Sequence, residues 1–190
     1  MPQVTVAQKM TAQEFLALPE TEHSRDMELI DGEVVVNDPG ALHGHVVTNL
    51  LVALANWTRE QPARGYAVVP RDTEVDDHNV FKPDVLWYAE GRLPDPHSPP
   101  PYALPDLAVE VRSPSTWRYN LGVKKTRYER HGLSELWLVD TVARTVLVFG
   151  RSAPGACSFD VALELEAGQD LTSPQLPGFA LAVDEVFAIH

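Results

Sequence analysis

Residues 106–140 read DLAVEVRSPSTWRYNLGVKKTRYERHGLSELWLVD, and this stretch decides the fold. DLAVEVR is a largely apolar run of the kind that forms a strand buried on both faces. Residues 118–131 are predicted to form a helix, ended by Gly132, a residue that readily closes a helix. ELWLVD is the next strand, and RTVLVFG follows it after a short turn. One apolar run carries a lone carboxylate, Glu110, and the helix between the strands carries several cations. A carboxylate inside a buried strand costs several kcal/mol unless it is paired, hydrogen-bonded or bound to metal.

Working outward, residues 91–105 hold six prolines and read as a stiff surface loop rather than a linker between domains. Before it, Tyr66–Val75 reads as one strand and FKPDVLWY as another, with Asp76-Asp77-His78-Asn79 as the turn of an antiparallel pair. FKPDVLWY places a second carboxylate, Asp84, inside a strand. Alternation puts Lys82, Asp84 and Leu86 on one face of that strand, and Ala108, Glu110 and Arg112 on one face of the other. Residues 42–58 read as an amphipathic helix with His43, Val46, Val47, Leu50, Leu54 and Trp57 on its inner face, while His45 lies off it. Upstream, MELIDGEVVV has two apolar runs around Asp31-Gly32, a strong hairpin signal. Thr11 and Glu14 are spaced as a capping box that opens a short helix, TAQEFLALPE. Downstream, Phe159–Leu165 reads as a strand and residues 174–190 as a tail with a short helix. The order helix, strand, strand, strand, helix, strand predicts a mixed sheet flanked by helices. That is an α/β (α+β) fold with an N-terminal β-hairpin, in one domain over residues 1–190 with its core at about 42–150.

Composition narrows the function. One cysteine, Cys157, excludes an internal disulfide and a cysteine zinc cluster and suits a reducing cytoplasm. No apolar run approaches the ~18 residues of a membrane span, and MPQVTVAQKMTAQEF lacks the charged-then-apolar pattern of a signal peptide. The net charge of −12 argues against a sequence-blind nucleic-acid coat. That charge is uneven: residues 112–131 hold six basic groups and one acid, +5, which leaves −17 for the remainder. No Walker A, G-x-G-x-x-G or G-x-S-x-G motif occurs. Ser113 and Ser115 therefore have no hydrolase elbow around them, and Trp117 is the tryptophan best placed to meet a base.

Neighbouring strands lie about 4.8 Å apart, so Asp84 and Glu110 can share one hard divalent cation, Mg²⁺ or Mn²⁺. Steps of three and four put Leu121, Lys124 and Tyr128 on one face of the second helix, which aims Lys124 rather than Lys125 at the carboxylates. A lysine there suits phosphodiester hydrolysis, in which it can position water or neutralise charge on the phosphate. The competing readings are a strand-edge Asp84 after Pro83, a Glu110–Arg112 pair, a plain Lys124–Glu110 salt bridge or a Lys124 that snorkels past the core, a structural His43, and Glu28 as a cross-strand partner rather than an additional ligand.

MELIDGEVV, LHGHVV, KPDVLWY, LPDLAVEVRSPST and NLGVKKTRYERHGLSELWLVD together resemble the Uma-two family of restriction-endonuclease-like proteins, within the PD-(D/E)xK nuclease superfamily. The resemblance covers roughly residues 11–185. It implies a core of one helix, three antiparallel strands, a helix and a parallel strand. It implies a Mg²⁺-dependent phosphodiesterase site in which Asp84, Glu110 and the Val111 carbonyl hold metal, with Lys124 standing in for the superfamily lysine. Arg112 occupies that lysine's usual place. Glu28 and His43 match recurrent family positions, the first as an additional metal ligand and the second as a catalytic residue. The family usually carries Asp four residues before the displaced lysine, where this chain has Asn120. The implied function is a DNA endonuclease acting as a homodimer. The alternatives are a nuclease-fold binding module for nucleic acid or protein, and a Mg²⁺ enzyme acting on a small phosphorylated substrate.

Overall fold

A computed structural model of the chain describes residues 9–19 and 26–189; the first eight residues of the stretch MPQVTVAQKMTAQEF, expected to lack a signal-peptide pattern, lie outside them. Thr11 caps α1 (Ala12–Leu16), and the reciprocal Thr11–Glu14 capping box forms as the spacing predicts. The hairpin β1 (Met27–Ile30) and β2 (Glu33–Val36) turns through Asp31 and Gly32, both at positive φ (49° and 77°), as a tight hairpin turn demands. α2 (Ala41–Glu60) buries His43, Val46, Leu50, Leu54 and Trp57, while Val47 is half-buried. Full burial of a leucine such as Leu50 contributes about 1.5–3 kcal/mol.

The two long strands expected after α2 each break at a proline. Tyr66–Val75 divides into β3 (Tyr66–Val68) and β4 (Thr73–Asp76), with Pro70 between them. FKPDVLWY divides at Pro83 into β5 (Asn79–Phe81) and β6 (Val85–Tyr88). Proline has no N–H to give a ladder, so each break is where the chain leaves one sheet for another. The antiparallel pairing is as expected, but it is shared between two sheets: β4 pairs with β5 in the order β2-β1-β5-β4, and β3 with β6 in a larger sheet.

The larger sheet runs β10-β9-β8-β7-β6-β3. Its added strands are β7 (Leu107–Val111), β8 (Glu135–Asp140), β9 (Thr145–Gly150) and β10 (Val161–Leu165). β7 and β8 are parallel and the other pairs antiparallel, so this is a mixed α+β fold. One face packs Val85, Val109, Val111, Trp137 and Val139 against α2 and the C-terminal segment. That segment holds β11 (Asp170–Leu171), β12 (Leu181–Ala182) and α5 (Val183–Val186). The opposite face packs Ala108, Leu136 and Leu138 against Tyr128 and Leu133, together with Ile30, Val75 and Phe81 of the smaller sheet. Among the described residues no helix is long and apolar enough to cross a membrane.

The helical segment of residues 117–130 departs from the regular helix expected. α3 (Trp117–Tyr119) and α4 (Lys125–Arg130) are joined by a π-helical turn, Asn120–Lys124. The wider turn changes the phase of the buried stripe. Leu121, expected inside, is 45% exposed, and Asn120 takes the interior place at 1%. Lys124 and Tyr128 are buried as the spacing predicts.

Candidate active site

Glu110 lies in β7, whose five residues are all buried. Its Oε1 accepts hydrogen bonds from Lys124 Nζ at 2.6 Å and from the Tyr128 hydroxyl at 2.7 Å. Lys124 Nζ also donates to Glu28 Oε1 at 2.8 Å, and that same oxygen accepts the Lys82 backbone N–H at 2.6 Å. The ammonium further lies 5.3 Å from the centre of the Phe81 ring. A strand, a hairpin and a helix thus meet at one cation, in a place almost without solvent.

Asp84 sits at the Pro83 break rather than in the middle of a strand, so alternation does not run through from Lys82. Its backbone N–H donates to the Val109 carbonyl at 2.9 Å, and its Oδ2 accepts the Val111 N–H at 2.7 Å. The carboxylate therefore extends the β6–β7 ladder where backbone pairing ends. It follows the Val85–Val109 pair by one step, in the direction of Glu110. Asp84 Oδ1 lies 3.1 Å from His43 Nε2, which reaches it from the first turn of α2 and makes no hydrogen bond.

Burial is the largest influence on the Glu110 carboxyl. Lys124 pulls its pKa down, whereas Glu28 and Asp84 push it up, and it stands at about 7. Burial opposes the Lys124 charge, but Glu110 and Glu28 outweigh it and lift this lysine above its usual value. Lys124 is therefore a fixed cation, not a base. Burial and then Glu110 raise Tyr128 well above the ordinary phenol, which keeps its hydroxyl a donor. With all groups ionised, Glu28, Asp84 and Glu110 oppose one ammonium, an excess of two negative charges in buried surroundings.

Arg112 does not pair with Glu110. Its Nη1 lies 2.9 Å from both oxygens of Asp140, and its guanidinium is 5.5 Å from the centre of the half-buried Trp117 ring. The cationic segment is likewise not one open patch. Lys124 and Arg112 are engaged as described, and Arg127 pairs with Asp31 and Asp76. Lys125 is half-buried over Phe149, and Arg118 bonds Tyr119.

The structure brings Asp84, Glu110, Val111, Lys124, Glu28 and His43 into one neighbourhood. Among the described residues no group of three or more His, Cys, Asp or Glu side chains converges as a ready-made metal cage. Sequence reasoning grouped Tyr128 with the apolar face and did not see its hydroxyl on Glu110. A tyrosine four residues after a buried lysine is the signal that could have found it. Asn120 carries a different surprise: neither Nδ2 nor Oδ1 has a partner. A buried polar group left unpaired costs about 1–3 kcal/mol.

A crystal structure described as a "putative nuclease belonging to DUF820 from Anabaena variabilis" shares the fold. It has a TM-score of 0.74 over 94% of this chain and 97% of that one, at 20% identity. No curated protein matches. The family profile described as "Putative restriction endonuclease" matches residues 12–184, and the chain belongs to that family, Uma-two (Uma2).

Proposed function

We propose that the protein is a divalent-metal-dependent DNA endonuclease that hydrolyses phosphodiester bonds, with one domain spanning the chain and carrying the site. The observation that carries this reading is the buried Lys124 clamped by Glu28 and Glu110 beside Asp84. The residues present suit a hard dication. The donors are oxygens, the excess of two negative charges equals its charge, and His43 Nε2, 3.1 Å from Asp84 Oδ1, is left without a hydrogen bond beside that carboxylate. Asp84, Glu110 and the Val111 carbonyl would hold Mg²⁺ or Mn²⁺, while Glu28, expected as an additional ligand, acts through Lys124. A bound ion supplies Lewis-acid polarisation of the phosphate.

The chain's own groups do the rest. Lys124, held charged, offsets the negative charge that grows on the phosphate as water attacks in line. Tyr128 and Lys124 fix Glu110 from one oxygen, so its carboxylate keeps a single orientation. His43 Nε2 takes the proton released by the water, and the resulting imidazolium pairs with Asp84 Oδ1. The reading includes a homodimer, because a duplex presents two strands to be cut.

The test is cleavage of plasmid and single-stranded DNA with Mg²⁺ or Mn²⁺ by wild type, Asp84→Ala and Lys124→Ala. Cleavage by wild type alone supports the reading. Equal behaviour of all three rejects it and favours the binding-module alternative, in which Arg112 turned to Asp140 serves structure only.

A further inference from the structure

The helix carrying Lys124 makes a choice that packing alone would reverse. Its π turn exposes Leu121 and buries Asn120, whose amide finds no partner for either polar atom. Burying an unpaired amide while exposing a leucine is unfavourable twice over. π turns inside helices occur frequently at functional sites. A regular α-helical phase would restore Leu121 to the interior beside Lys124 and Tyr128. The arrangement makes sense if the amide has a ligand that belongs to the working state of the protein.

Position indicates which ligand. β7 leads into the loop before α3, and the helical segment returns to the start of β8, parallel to β7. Tyr128 and Lys124 both meet Glu110, near the C-terminal end of β7. Asn120 is four residues nearer the helix start, on the same buried stripe, and its N–H bonds the Thr116 carbonyl in that loop. It therefore lies towards the end of β7 where Val111 receives the Asp84 carboxylate. Excess negative charge fills that region, so a carboxylate at position 120 would repel an incoming anion. A neutral amide can donate to one.

We propose that Asn120 is a substrate-contacting residue whose Nδ2 donates a hydrogen bond to a non-bridging oxygen of the bound phosphodiester. The proposal rests on the nuclease reading and assigns how that site grips its substrate. The test uses Asn120→Leu and Asn120→Ala in the full chain, with thermal melts, binding of a fluorescein-labelled duplex in Ca²⁺ by anisotropy, and the split of cleavage between kcat and KM. The Asn120 side chain has no hydrogen bonds within the protein to lose, so Asn120→Leu melts at or above the wild-type temperature. Both variants bind DNA roughly 10- to 100-fold more weakly, the worth of one hydrogen bond to a charged group, and KM rises in step.

Unchanged DNA affinity with a raised melting temperature overturns the proposal and makes Asn120 a structural residue solvated by buried water. If Asn120→Leu overpacks and melts early, Asn120→Ala decides the same question. Wild type that cleaves and loses cleavage in Asp84→Ala, while both Asn120 variants bind as wild type, rejects the Asn120 contact alone. Wild type that neither binds nor cleaves DNA rejects the nuclease reading and the contact with it.

Discussion

Replacing Lys124 by Met tests the electrostatic account directly. Methionine keeps an unbranched chain of similar reach, so the main loss is charge. Nζ lies 2.6 Å from Glu110 and 2.8 Å from Glu28, at 1% exposure. Removing one partner of a buried pair costs about 3–5 kcal/mol, because the other charge is left uncompensated. At about 2–4 °C per kcal/mol for a chain of this size, the melting temperature falls by roughly 6–20 °C near neutral pH. The loss depends on pH. A carboxyl whose folded pKa is raised contributes stability that is full below its unfolded value and fades as pH rises through the folded value. Glu110 stands at about 7 with Lys124 present and rises further without it. In Lys124→Met the gap to wild type is therefore small at roughly pH 5 and widens towards roughly pH 8. Mg²⁺ or Mn²⁺ narrows it at the higher pH, since a dication answers the same excess charge. Urea denaturation at both pH values, with and without metal, gives the numbers. A loss below about 1 kcal/mol, the worth of a surface ion pair, or one that does not change with pH, refutes the reasoning.

Three further outcomes follow from other residues. Glu135 is buried, and its pKa is raised by burial against hydrogen bonds from Ser173, Trp137 and Gln175. Its contribution fades as pH rises above its unfolded value, so Glu135→Gln gains stability over wild type with rising pH in melts; a constant difference contradicts this. Gly65 has φ +69°, and an added Cβ would lie 2.0 Å from the Tyr88 carbonyl oxygen, so Gly65→Ala loses at least about 1–3 kcal/mol by urea titration. Arg112→Lys leaves metal-dependent cleavage at the wild-type rate, because the guanidinium is committed to Asp140; a collapse in kcat would return Arg112 to the superfamily lysine's role.

Much of the architecture was legible because hydrophobic period and turn chemistry are local. The Asp31-Gly32 hairpin, the inner face of α2 and the strands β7, β8 and β9 stand where the sequence places them. Proline decided two features, and of these only the strand-edge place of Asp84 after Pro83 was among the readings the sequence offered. Pro70 and Pro83 interrupt runs that read as continuous strands, and the second break frees Asp84 from the alternation that had aligned it with Lys82. The meeting of Glu110 with Lys124 was visible from burial logic and helix spacing. The exchange of Leu121 for Asn120 was not, since no periodicity rule announces an extra residue in a turn. Arg112, two residues after Glu110 in sequence, reads as its counter-ion, yet the side chain finds Asp140 across the parallel ladder. The +5 charge of residues 112–131 does not become one open patch, because sequence does not reveal which charges the fold consumes.

The Lys124–Glu28 bond joins residues 96 positions apart. Closing so long a loop carries an entropic cost that the docked hairpin's contacts must offset. A chain emerging from the ribosome without its hairpin docked would have Lys124 and Glu110 but not the second carboxylate that holds the cation. Only the finished fold, with the hairpin docked, brings Glu28 to Lys124 beside Glu110, so the hairpin's attachment and the site's charge balance are one and the same feature.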